Sequence, residues 1–297
     1  MRVGVVILPI YRWTEASARW RDAEQAGFDA AWTYDHLSWR SFRDEPWFGS
    51  VPTLTAAAAV TSRIRLGTLV SSPNFREPVT FAKDVMTVDD VSGGRFTLGI
   101  GAGGTGFDAT TLGQEPWTPK ERQDRFEEFL ELADLLLTQP DTTFRGRYYA
   151  ADEARMIPGC VQRPRVPFAV AATGPRGLRL AARLGQAWVT FGDPKQLEGR
   201  TEAEYTAAIR DQARRFDEAC AAEGRDPSGY GRILLNGSTG ERALDSVDAF
   251  VDYAGRYAAV GMTEIAVHLP VPGTVFGTDE AAFERIVTEG LPQVRAL

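Results

Sequence analysis

The chain has 297 residues, with 33 basic against 40 acidic side chains, a net charge of −7, and hydrophobic and charged fractions of 43% and 25%. This balance excludes a disordered, collagen-like or disulfide-framework chain, and the excess of acid argues against nucleic acid as a partner. Its longest wholly apolar runs, such as Ala56 to Val60, fall far short of the roughly 20 residues that span a bilayer, so no membrane segment is expected.

In chain order, Val3 to Leu8 is a continuous apolar, β-branched run, the pattern of a parallel strand covered on both faces. A helix capped by Thr14 follows, with Ala18, Ala23 and Ala26 on its packing side and Gly27 as its stop. Asp29 to Tyr34 reads as the second strand, Thr53 to Val60 as a helix and Ile64 to Val70 as the third strand. Helix Phe81 to Val91 precedes strand Phe96 to Ile100. Thr118-Pro119-Lys120-Glu121 is a capping box opening a helix whose Phe126, Phe129, Leu130, Ala133, Leu136 and Leu137 form one buried stripe. A hairpin is expected at Phe144 to Tyr149, then strand Pro167 to Ala171, helix Pro175 to Leu184 and strand Ala187 to Phe191. The Thr201-x-x-Glu204 box starts a helix reaching Ala222. Strand Gly231 to Asn236, helix Ser246 to Val260, strand Thr263 to Leu269 and helix Glu280 to Val294 complete the series. Eight strand–helix units without a Pro- or Gly-rich linker predict an α/β fold, a single (β/α)8 TIM barrel over residues 1–297 with an insertion of about 103–166 after the fourth strand.

In such a barrel the chemistry lies at the carboxyl ends of the strands. The second strand ends in Asp35-His36, where an imidazole can exchange a proton near neutrality and a neighbouring carboxylate can orient it; the competing reading is an ordinary loop histidine. His268, inside the last strand, reads as a core histidine. Gly99-Ile100-Gly101-Ala102-Gly103-Gly104 fits G-x-G-x-x-G, but no helix starts at once after it. The better reading is backbone at Gly101, Ala102 and Gly103 passing close to a flat ligand, with plain turn chemistry open beside it. Ala172-Thr173-Gly174-Pro175-Arg176-Gly177 leads into a helix whose first-turn amides suit a phosphate, with a charge from Arg176 and close approach at Gly177; plain helix capping stays open beside it. Trp13, Trp39, Trp47, Phe48, Phe107 and Trp117 crowd the loops after strands one, two and four, which suggests an organic substrate pocket, with core or oligomer contacts as the competing reading. Only two histidines and two distant cysteines, Cys160 and Cys220, occur, so no metal site is expected and both thiols read as reduced in a cytoplasmic protein. None of the three lysines follows a glycine, which excludes a P-loop.

Ala23-Glu24-x-x-Gly27-Phe28-Asp29, Asp35-His36, Arg63-Ile64-Arg65-Leu66-Gly67-Thr68, Ser92-Gly93-Gly94-Arg95-Phe96-Thr97-Leu98-Gly99-Ile100-Gly101 and Ala171 to Arg176 occur in that order. With these motifs the chain resembles the luciferase-like monooxygenase superfamily from Val3 to beyond His268, and Asp35-His36 resembles its coenzyme F420-dependent branch. The resemblance implies a bacterial luciferase-like barrel and a deazaflavin held against a non-proline cis peptide at Leu69-Val70. It also implies Ser72 near the polar edge of the ring, Gly101 to Gly103 beside it and Thr173 to Gly177 beside the phosphate. It implies a hydride passed between F420 and a small organic substrate, with His36 and Asp35 as catalytic residues. Flavin mononucleotide (FMN) enzymes that activate oxygen share this barrel, and a non-catalytic flavin-binding barrel is the third reading; a homodimer is open. Sugar-phosphate dehydrogenases of the branch carry a catalytic glutamate directly after the fourth-strand glycines. Gly104 stands there, so glucose-6-phosphate oxidation is not expected, although Lys195 lies where those enzymes hold a substrate phosphate.

Overall fold

The structure, a computed structural model, describes residues 1–192, 200–237 and 241–297; Lys195 lies outside them. The apolar runs become β1 (Arg2–Val6), β2 (Ala30–Thr33), β3 (Arg65–Thr68) and β4 (Phe96–Gly101), separated by α1 (Trp13–Gln25), α2 (Ser50–Val60) and α3 (Pro78–Val91). There follow α4 (Pro119–Thr138), the hairpin β5 (Asp141–Arg145) and β6 (Ala150–Arg155), β7 (Phe168–Ala171), α5 (Pro175–Leu184), β8 (Ala187–Thr190) and α6 (Glu202–Ala222). The chain ends with β9 (Gly231–Leu235), α7 (Val247–Ala258), β10 (Glu264–His268), α8 (Glu280–Arg285) and α9 (Leu291–Arg295). Eight strands pair in parallel in the closed order β1-β10-β9-β8-β7-β4-β3-β2, the expected barrel, while β5 and β6 form a separate antiparallel pair.

The lumen is filled because small and large residues alternate across it. Trp32 of β2 lies across the interior, and a Cβ at Gly4 or Gly67 would meet its ring at 2.6 or 2.3 Å. Its indole N–H donates to Glu264 at 3.0 Å. That carboxyl is buried, which pushes its pKa up, and Arg2 at 3.4 Å supplies its counter-charge. At the next strand pair, a Cβ on Gly99 would stand 1.8 Å from the Thr68 carbonyl, so only glycine lets β3 and β4 approach there. Outside the barrel the predicted stripe of α4 is buried as a set.

Several boundaries differ from expectation. Helix α1 starts at Trp13, with Arg12 rather than Thr14 in the capping position, and it buries Ala16, Trp20 and Ala23. Trp20 claims the packing stripe, leaving Ala18 and Ala26 half-buried. Helix α2 begins at Ser50, one turn before Thr53, because Pro52 is tolerated in a first turn whose amides lack helical partners anyway. The final helix widens into a π-turn over Ile286–Gly290 ahead of Pro292, which lacks the amide a regular turn requires. Within the 103–166 insertion, α4 is the fourth crossover helix itself, so the additions are the loop before it and the hairpin after it. None of the described helices is long and apolar enough to cross a membrane.

Candidate active site

The loops after β1, β2, β3, β4 and β10 meet at one end of the barrel. Directly after β3 the Leu69–Val70 peptide is cis, where the resemblance implied it. Leu69 N–H donates to Thr33 O and Ser71 N–H to Gly99 O, both at 2.8 Å, so this segment is anchored to strands on both sides. Gly101 faces it: a Cβ there would stand 3.2 Å from Val70 and 3.3 Å from Ala171.

Asp35 and His36 are adjacent in sequence but serve different networks. Asp35 is 1% exposed and accepts from Arg76 Nε at 3.1 Å and Arg76 Nη2 at 2.6 Å, with Ser50 Oγ donating at 2.6 Å. Its carboxylate therefore ties the β2 end to the first turn of α2 and to the loop before α3. The expectation that Asp35 orients the imidazole is corrected: adjacent residues at a strand end point to opposite sides, and the ring's Nδ1 bonds to Asp108 Oδ2. Asp108 Oδ1 also accepts the Leu37 amide at 2.7 Å, and Trp47 Nε1 donates to the His36 carbonyl at 2.8 Å. Ring and backbone of His36 are thus both held, and its side chain remains 29% exposed.

Sequence reading missed Asp108. Its signal was available, since residues 102–117 contain only two acids, Asp108 and Glu115. Gly104, in the place of the branch's glutamate, contributes its carbonyl to Asn74 Nδ2 at 3.1 Å. Asn74 buttresses this loop, because a Cβ on Gly103, whose φ is +75°, would meet it at 2.8 Å.

An aromatic wall borders His36. Trp39 lies 5.5 Å from Tyr34 and 5.3 Å from Phe276, and Phe42 lies 5.9 Å from Trp47. Trp39, Trp47 and Phe107 do stand at this mouth. Trp13 is corrected to a rim residue, 40% exposed and sharing no ring contact with the wall among the described residues. Phe42 and Phe276 were not foreseen, Phe276 because it sits in the loop after β10, far away in sequence. Behind the wall, Tyr34 hydroxyl and His268 Nε2 are 2.9 Å apart, and Phe276 stacks on His268 at 4.0 Å. Burial pulls the His268 pKa down to about 3 and pushes Tyr34 up, so His268 is a neutral core histidine.

At α5, Gly174 caps the helix without a side-chain cap hydrogen bond, and none of the described residues comes within 4 Å of the position a Cβ would take. Pro175 occupies the first helical position. Two details of the phosphate expectation are corrected. Arg176 is committed to carboxylates of α4, with Nη2 at 2.7 Å from Glu127 and 2.8 Å from Asp124, which push its pKa up. Gly177 is buried against Ala172, whose Cβ an added methyl would meet at 2.9 Å, so it serves helix–strand packing rather than ligand approach. Thr173 O accepts from Arg215 at 3.2 Å.

These residues fit a flat, phosphate-bearing cofactor. Among the described residues, Gly104, Gly106 and Gly174 leave space free where side chains would stand, and Ser71 Oγ and Asn74 Oδ1 are buried without a hydrogen-bond partner. Leu69 and Ser72 are buried beneath this surface, whereas Val70, Ala102 and Ala172 are half-buried and Gly103 exposed.

A family model of luciferase-like monooxygenases matches residues 1–265. The chain is similar to an F420-dependent glucose-6-phosphate dehydrogenase of Beutenbergia cavernae, 33% identical over 92% of this chain and 91% of that one. It shares its fold with an F420-dependent secondary alcohol dehydrogenase solved with an F420–acetone adduct, at TM-score 0.79, 19% identity and 99% of each chain. A monooxygenase from Streptomyces bottropensis has the same fold, at TM-score 0.79, 18% identity, and 98% of this chain against 99% of that one.

Proposed function

This chain belongs to the luciferase-like monooxygenase family, and on that premise we propose that it is an F420-dependent oxidoreductase acting on a small organic substrate. The observation that carries the reading is its likeness, along nearly the whole chain, to an F420-dependent dehydrogenase. When bound, F420 supplies or takes up a hydride at its ring. Leu69, Val70, Ser72 and the backbone from Gly101 to Gly103 would hold that ring, and the amides opening α5 after Ala172, Thr173, Gly174 and Pro175 would hold the phosphate.

His36 holds or moves the proton. With Nδ1 committed to Asp108, Nε2 is the nitrogen left to exchange a proton with substrate. Asp108 is then a positioning residue, and Asp35 supports the loop from beneath through Arg76. The aromatic wall from Tyr34 to Phe276 excludes water from one side and offers an apolar surface to an organic molecule. Oxidation of a sugar phosphate is not part of the proposal. Gly104 carries no carboxylate, and the acid nearest to it in the loop, Asp108, is already engaged by His36.

The test is a parallel titration of the purified protein with F420 and FMN. Binding of F420 at least about tenfold more tightly, a difference of about 1.4 kcal/mol, is expected. Equal or reversed affinities overturn the cofactor assignment and return the site to the oxygen-activating chemistry of FMN enzymes.

A further inference from the structure

The loop between β2 and α2 carries two cations that the proposed hydride chemistry does not use. A short turn over Arg40–Phe42, closed by Arg43 N–H donating to Arg40 O at 3.3 Å, brings Arg40 and Arg43 onto one segment. Phe42 is buried within the aromatic wall and pins this turn to the mouth. Both guanidiniums lie over rings of the site, Arg43 4.3 Å from the centroid of Phe107 and Arg40 5.2 Å from that of Trp39. Phe107 immediately precedes Asp108, which holds His36. Arg40 is also close enough to Tyr34 for its charge to oppose the effect of burial on that hydroxyl.

Two further facts bear on this turn. The Arg40 backbone has φ of +37°, in the left-handed region that a non-glycine residue seldom enters, and such conformations cluster at ligand sites. Among the described residues, neither guanidinium forms an ion pair, although Asp44 and Glu45 follow directly in the chain. Two like charges on one turn repel each other until an anion arrives. A planar guanidinium fork matches a carboxylate or a phosphate in two parallel hydrogen bonds.

We propose that Arg40 and Arg43 form a subsite for an anionic group, carboxylate or phosphate, of a substrate whose apolar body packs on the Trp39 side of the mouth. This rests on reading the mouth as the active site. The anion belongs to the substrate rather than to the cofactor's charged tail, because β3 and β4 separate β2 from β7, whose end leads to the α5 amides.

Calorimetric titration of the full-length protein with 2-naphthoate, 2-naphthyl phosphate and the uncharged methyl 2-naphthoate, without F420, tests the subsite. The better anion should bind at least about tenfold more tightly than the ester, and which anion is better identifies the group. In the Arg40→Gln/Arg43→Gln double variant that preference should fall to about twofold or less, with the melting temperature and F420 affinity kept. Equal binding of acid and ester, retention of the preference in the double variant, or failure of both anions to saturate would each overturn the proposal. So would a tenfold loss of F420 affinity in the double variant, which would assign the arginines to the cofactor tail. Because the probe titrations contain no cofactor, failure of the F420 assignment reads out separately.

Discussion

Replacing Arg76 by methionine tests the role assigned to Asp35. Methionine keeps much of the apolar contact that Arg76 makes with Phe75 and Phe81, whose ring centroids lie 4.8 and 4.9 Å from the guanidinium carbon. It removes two of the three hydrogen bonds that the described residues give the Asp35 carboxylate and leaves the one from Ser50. Each charge-assisted bond is worth about 1.5–3 kcal/mol, so the loss is about 3–6 kcal/mol. The measured cost of breaking a buried ion pair, about 3–5 kcal/mol, agrees. For a chain of this size a kilocalorie corresponds to about 2 °C, giving a fall in melting temperature of about 6–12 °C. Chemical denaturation of the parent, Arg76→Met, Asp35→Asn and the double variant closes a thermodynamic cycle. The two changes should couple by at least about 1 kcal/mol, because the neutral amide no longer leaves a buried charge unpaired. Additive effects, or a destabilisation below about 1 kcal/mol in Arg76→Met, would refute the argument that Asp35 is a structural anchor.

Three further outcomes are expected. With any substrate the parent turns over, Asp108→Asn should lower turnover by about 100-fold or more while cofactor affinity stays within about threefold, since an amide facing Nδ1 imposes the wrong tautomer; Asp35→Asn should change turnover less, and the reverse order would contradict the redrawn network. Glu24 accepts the amides of Ser62, Arg63 and Ile64, which outweigh its partial desolvation and hold its pKa down to about 2. Its folded value is below its unfolded one, so its contribution is complete above about pH 4.5 and is lost as pH falls toward 2; denaturation curves of the parent and Glu24→Gln should converge over that window. Gly99→Ala would drive a methyl to 1.8 Å from the Thr68 carbonyl, a backbone atom that cannot step aside, and should yield a protein whose melting temperature drops sharply or that fails to fold, as read by circular dichroism.

Periodicity made the barrel legible. A buried parallel strand must be apolar on both faces, so Val3 to Leu8 announces itself without neighbours, and the stripe of α4 depends only on 3.6-residue geometry. The capping box at Thr201 formed as read because its hydrogen bonds close within three residues, whereas at Thr118 only the hydroxyl half formed, since the Glu121 carboxylate turns to Arg125 one turn on. The packing face of α1 was misread because Trp20, a larger side chain on the same helix, took the buried stripe from Ala18 and Ala26. At the site, His36 and the glycines were visible because strand ends in a barrel have a known role. The partners were not: Asp108 reaches His36 across 72 positions, Phe276 stacks on a histidine from the last strand, and Arg176 meets Glu127 across 49. Sequence alone therefore determined the element order, the barrel and the histidine at its mouth, since each follows from local hydrophobic pattern and backbone preference. Only the tertiary structure decided which carboxylate holds that histidine and which arginine meets which acid, because hydrogen bonds and ion pairs between loops depend on how the closed barrel brings its strand ends together.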